Sequence, residues 1–98
     1  MPYIKQKDRD LLDEPIRRVI NVLMDLHAER SGSIYKFAGS LNYVITKIIV
    51  TLWHRCPSYS TGNTLIGVLH CATYEFSRRH LDTYENKKME ENGDVDSF

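Results

Sequence analysis

The stretch SLNYVITKIIVTLWHRC, residues 40–56, decides the fold. From Leu41 to Trp53 it is apolar on nearly every side, and the β-branched residues of VITKIIVT would suit a strand. Length arbitrates. The uninterrupted run exceeds the ~4–8 residues usual for a strand, which selects a helix. Leu41, Val44, Ile45, Ile48, Ile49 and Leu52 form its stripe, Val50 and Trp53 carry that stripe round the cylinder, and Thr46, Lys47, Thr51 and His54 stay polar. Ser40 is the predicted N-cap and Pro57 the far boundary, giving a helix over 41–55. A helix apolar nearly all round is a buried one, and this run is shorter than the ~20 residues a membrane span needs.

Working outward, MPYIKQKDRDLLDEP reads as a short arm and a helix start, with Asp13 as N-cap and Pro15 in the first turn, where its missing N–H is not required. Ile16, Val19, Ile20, Leu23 and Leu26 then recur at helical spacing, predicting a helix over 13–29. RSGSIYKFAG, residues 30–39, reads as a loop whose Ile34, Tyr35 and Phe37 pack down on the domain or on a neighbouring subunit. SYSTGN, residues 58–63, is turn chemistry with Ser60 and Thr61 as cap candidates. The third helix is expected over 62–86, with Leu65, Leu69, Ala72 and Phe76 on its core face and His80 a further candidate there. Its Gly67 suggests a close helix–helix approach, and Glu75–Arg79 and Arg78–Asp82 are i, i+4 pairs. KKMEENGDVDSF has little to bury and reads as a disordered tail.

The expected architecture is therefore all-α: one three-helix domain over 1–88 and a tail over 89–98. Ile16, Ile20, Leu23, Leu41, Ile45, Ile48, Leu69 and Phe76 form the predicted core. Two neighbouring helices cannot cover the second helix completely, and a chain of 98 residues buries only ~60–65% of its surface alone. The surplus apolar face predicts a homo-oligomer, with cover by the Tyr35–Phe37 loop within one subunit as the alternative.

Composition excludes several classes. Thirteen basic and thirteen acidic side chains cancel, so no net field favours a nucleic acid or an anionic membrane. Cys56 and Cys71 form no CxxC and are too few for a disulfide scaffold, and the charged N-terminus is unlike a signal peptide. These features predict a soluble, cytoplasmic protein. His27, His54, His70 and His80 show no metal-ligand spacing, and no nucleophile motif is present, so neither a metal site, a cofactor nor catalytic residues are expected. Asp8, Asp10, Asp13 and Glu14 complement a helix dipole.

One sharper idea concerns anions. The predicted helix N-termini at 40–43 and 60–63 would offer free N–H groups to phosphate. Six tyrosines could stack on a base, and Arg17, Arg18, Arg78 and Arg79 could pair with phosphate. Asn42 and Tyr43 sit at the first of those N-termini, while Arg78 follows Tyr74 by one turn off the core face. These four are the candidate ligand-binding residues. On residues alone the plainer alternative stays open: tyrosines at protein interfaces, arginines beside acidic partners, and caps that only cap.

The strings MPYIKQ-DR (from residue 1), LNYVIT (41–46), IGVL-C (66–71), EF-RR (75–79) and YE--K--ENGDV (84–95) resemble a small, largely uncharacterised family common in bacteriophage and prophage genomes. The resemblance covers nearly the whole chain. It departs at SGSIYKF, which looks longer than the family's usual connection, and at His70, where an acidic residue is expected. It implies a phage accessory protein working in the host bacterial cytoplasm. By analogy of size, such a protein acts against host defence and can be an oligomeric sponge for a nucleotide signal. The competing class is a protein-interaction module that uses the apolar surface. A transcriptional regulator is third, disfavoured by the neutral charge.

Overall fold

The computed structural model describes residues 4–27 and 34–93. Those residues are helical, with no strand among them. The elements are α1 (Gln6–Leu26), α2 (Tyr35–Arg55), α3 (Tyr59–Phe76), a π-helical segment (Ser77–Leu81) and α4 (Asp82–Asn92). Phe76, Ser77, Leu81 and Asp82 all keep right-handed helical backbone, so the last three elements run on as one rod. Three helical rods and the all-α class agree with the sequence reading. By contacts the chain divides into two compact units, Met1–Arg55 and Cys56–Phe98.

In the first unit α1 starts well before Asp13. The Lys5 carbonyl accepts from the N–H groups of Asp8 and Arg9, both at 3.0 Å, and the Lys5 side chain caps nothing. Gln6 Nε2 donates to Asp10 Oδ1 at 2.9 Å, and Arg9 Nε donates to the Ile4 carbonyl at 3.0 Å. Pro15 therefore lies inside the helix rather than in its first turn. α1 ends at Leu26; of the predicted last residues, 28 and 29 lie outside the described residues.

α2 also starts earlier than expected. Residues 35–39, read as loop, are its opening turn, and Ser40 is interior rather than a cap. The cause is Phe37, four residues before Leu41 and so on the same stripe. The Phe37 ring packs tilted against His27 with ring centroids 4.7 Å apart, which ties the end of α1 to the start of α2. The basic His54 and Arg55 in the last turn of α2 suit its dipole.

The predicted core is not buried in the single chain. No hydrophobic side chain among the described residues is buried; Ile48 is 53% exposed and Phe76 60%. Ile16, Ile20, Leu41 and Ile45 are exposed too, while Leu23 and Leu69 are half-buried. The physical reason within the first unit is simple. A helix paired with one other covers only the strip it faces, and an apolar band wider than that strip stays open.

In the second unit Ser58, not Ser60 or Thr61, is the N-cap of α3. Its hydroxyl oxygen accepts from the Thr61 N–H at 3.1 Å, and its carbonyl accepts from the Gly62 N–H at 2.9 Å. The rod continues past residue 86 to Asn92, so residues 89–92 of the expected tail are helical; residues 94–98 lie outside the described residues. Lys88 explains part of the extension. It pairs with Glu91 at 3.2 Å and lies 5.6 Å from the Tyr84 ring centroid. Gly93 ends the helix at φ 81°, its N–H donating to the Met89 carbonyl at 2.8 Å.

Among the described residues of its own unit nothing crowds Gly67, and a Cβ built there meets nothing within 4 Å. Gly67→Ala should therefore stabilise the rod by ~0.5–1 kcal/mol, visible as a rise of a few degrees in thermal denaturation. A lowered melting temperature would show that another molecule packs against that position.

Candidate anion site

A group of charged side chains lies where α3 passes into the π segment. Glu75 is at its centre. Its carboxylate takes Arg79 Nε at 2.7 Å and Arg78 NH2 at 3.2 Å, so two guanidinium groups converge on one acid. Burial acts to raise the Glu75 pKa. Hydrogen bonding and charge from Arg78, with charge and hydrogen bonding from Arg79, together outweigh it and leave the carboxyl below its usual value. Glu75 is thus ionised at neutral pH, and the three-residue cluster retains one net positive charge.

Arg78 has a second neighbour. Its guanidinium carbon lies 5.9 Å from the centroid of the Tyr74 ring, within cation–π range. Tyr74 is 63% exposed, and the side chains of Arg78 and Arg79 are about half exposed, so a ring face and two cationic forks are open to solvent. A π segment places these groups. The Asp82 N–H donates to the Ser77 carbonyl, five residues back, and Ser77 Oγ donates to Asp82 Oδ1 at 3.3 Å. His80 on the same segment lies beside Phe76, ring centroids 6.2 Å apart. An exposed aromatic face beside a guanidinium pair can stack a base and hold a phosphate.

The structure brings Tyr74 and Arg78 together as their spacing predicts. Asn42 and Tyr43 belong to the other unit. Both lie inside α2, which begins at Tyr35, so their backbone N–H groups are those of a helix interior and not of a free N-terminus. Asn42 Oδ1 accepts from Thr46 Oγ1 at 3.1 Å. Tyr43 is 68% exposed and lines an open groove of about 670 Å³ between α1 and α2. The N-terminus expected at 60–63 is likewise displaced, and Ser58 already takes two of its N–H groups.

Sequence reasoning missed this groove, whose walls include Val19, Val22, Leu23, Leu26 and Val44. It also missed the burial of His27. His27 is 8% exposed, with Nε2 at 2.9 Å from Ser40 Oγ and, among the described residues, no hydrogen-bond partner for Nδ1. No local signal links residues 27 and 40; only the return of the chain does.

Among the described residues no group of three or more His, Cys, Asp or Glu side chains could hold a metal ion, and no helix is long and apolar enough to cross a membrane. No curated protein and no solved structure matches the chain. Residues 1–95 match one family, described as a domain of unknown function, and on that match the chain belongs to the DUF6899 family.

Proposed function

We propose that the protein binds a nucleotide-type anion without altering it, and does so as a homo-oligomer. The observation that carries the reading is the Tyr74–Arg78 pair, with its 5.9 Å ring-to-guanidinium separation and the neighbouring Arg79. A base on the Tyr74 face leaves its phosphate near the two guanidinium groups. Asn42 and Tyr43, in the first unit, are a separate candidate contact surface, Asn42 through its amide and Tyr43 through its exposed ring. The resemblance to phage and prophage proteins supports a counter-defence role in the host cytoplasm, with the protein acting as a sponge for a nucleotide signal.

The test is a panel of mononucleotides, cyclic dinucleotides and cyclic ADP-ribose isomers, scored by melting temperature. A ligand at 100 times its Kd adds ~2.7 kcal/mol of stability. Heating the complex should then release the ligand unchanged; a cleaved product would reveal an enzyme instead. A blank panel would overturn the reading in favour of the second one, a protein-interaction module. The specific observation behind that alternative is the absence of any buried hydrophobic side chain among the described residues. Exposed apolar bands on this scale call for a macromolecular partner.

A further inference from the structure

The homo-oligomeric part of the proposed function leaves open which surface two copies share, and α2 supplies one. Its row toward α1 is marked by three residues: Phe37 and Ser40 meet His27, and Val44 is half-buried. Carried on at the same steps of three and four, that row passes through Lys47 and Thr51, which are polar and exposed. The most apolar row is a different one. Leu41, Ile45, Ile48 and Leu52 each follow a residue of the first row by one position, about 100° round the cylinder. They are 40–53% exposed, and none of them lines the groove between α1 and α2. α2 thus gives its mixed row to α1 and leaves its wholly aliphatic row open.

The order of that open row tells what covers it. It reads Leu, Ile, Ile, Leu at steps of four, three and four, the same from either end. Steps of three and four are those of a helix–helix seam. A two-fold interface needs a patch that matches itself when turned round, and a palindromic row does so on an antiparallel copy. With the dyad midway between Thr46 and Lys47, Leu41 meets the partner's Leu52 and Ile45 meets the partner's Ile48, each contact made twice. Thr46 and Lys47 lie off the row, one on each flank, so no charge enters the seam. The two α2 helices then overlap over residues 38–55, about 27 Å and wholly inside the described helix. On α1, Ile16 and Ile20 are half exposed and likewise absent from the groove walls, which makes the apolar face two helices wide. A face of that size presents roughly 500 Å² in projection, and side-chain relief brings it to the lower end of the ~600–1,000 Å² each partner gives a standard interface. An unlike partner has no use for reversal symmetry; a second copy requires it.

We infer that the Leu41–Ile45–Ile48–Leu52 row is a dimer seam, occupied by the same row of a second copy running antiparallel. The inference rests on the homo-oligomeric reading and adds its surface and register. Cysteine pairing tests both. In a chain whose own thiols are removed (Cys56→Ser, Cys71→Ser), Leu41→Cys and Leu52→Cys are made separately. Two copies of position 41 lie about 16 Å apart along the seam, and so do two copies of position 52, beyond the ~4.4–6.8 Å Cα separation a disulfide allows. Neither variant alone should therefore cross-link on oxidation, while the refolded mixture should give a disulfide-linked pair holding one of each, by non-reducing gel and mass. As a second measure, Ile48→Lys should weaken self-association at least tenfold by light scattering on a sizing column. Tyr43→Lys, on the groove side, should leave it unchanged. Should Ile48→Lys fail to fold, the cysteine mixture still decides. If the wild type assembles but the mixture stays unlinked, or either cysteine variant links to itself, this seam is wrong and oligomerisation stands. A monomeric wild type would overturn both, and would leave the aliphatic row to a different molecule.

Discussion

Pro15→Ala should raise the melting temperature by roughly 5–20 °C. α1 runs from Gln6 to Leu26, so Pro15 lies deep inside it. There the pyrrolidine ring removes one N–H from the hydrogen-bond ladder and crowds the carbonyl of Leu11, four residues earlier. In a helix interior proline is ~3 kcal/mol worse than alanine, whereas in a first turn the difference nearly vanishes. Residues 6–14 hold the helix together ahead of the defect through Gln6–Asp10 and Arg9–Ile4 hydrogen bonds, and Arg17 pairs with Glu14 across it at 2.9 Å. The expected gain is ~1–3 kcal/mol, because relaxation at the site recovers part of the loss. Thermal denaturation followed at the helical circular dichroism band measures it. An unchanged transition would mean that α1 begins near Asp13 in solution.

Arg78→Ala is the second substitution with a large expected effect, and it acts on binding. A charge-assisted contact to phosphate is worth ~1.5–3 kcal/mol, so affinity for a responding nucleotide should fall roughly ten- to a hundredfold. The fold should tolerate the change, because Arg78 is exposed and Glu75 keeps Arg79 at 2.7 Å. Tyr74→Ala should lose a comparable amount, since stacking a base on an aromatic ring contributes ~1–3 kcal/mol. Arg17, exposed and already paired with Glu14, is the control: Arg17→Ala should leave affinity alone. Titration calorimetry reads all three. Equal affinities in wild type, Arg78→Ala and Tyr74→Ala would remove the site, even with binding itself established.

The helices were legible where periodicity was strong, and their ends were not. VITKIIVT declared itself by length. Asp13 and Ser40 looked like caps because their side chains could serve as caps, yet α1 starts at a lysine whose side chain makes no capping bond. A start of that kind leaves no mark in composition. Gly39 and the serines before it suggested a loop, while Phe37 continued the stripe of α2 with one aromatic ring on His27. Tyr74 and Arg78 could be paired in advance, since i, i+4 neighbours meet on any helix. The burial of Ile48 could not be judged, because the width of an apolar stripe does not say how many neighbours a single chain brings to it.

The π segment has a consequence for direction. Bonding five residues back adds one residue to a turn, and each residue of an α-helix advances the azimuth by about 100°. Side chains after Leu81 are therefore out of phase with those before Ser77 by more than a quarter turn, although the rod is continuous. Leu65, Leu69 and Phe76 share one bearing; Tyr84 and Lys88 follow another. A single rod thus offers two differently aimed surfaces without a loop between them. Losing one residue from Ser77–Leu81 would bring both halves into register, re-aiming Tyr84 and Lys88 while leaving each side chain as it is.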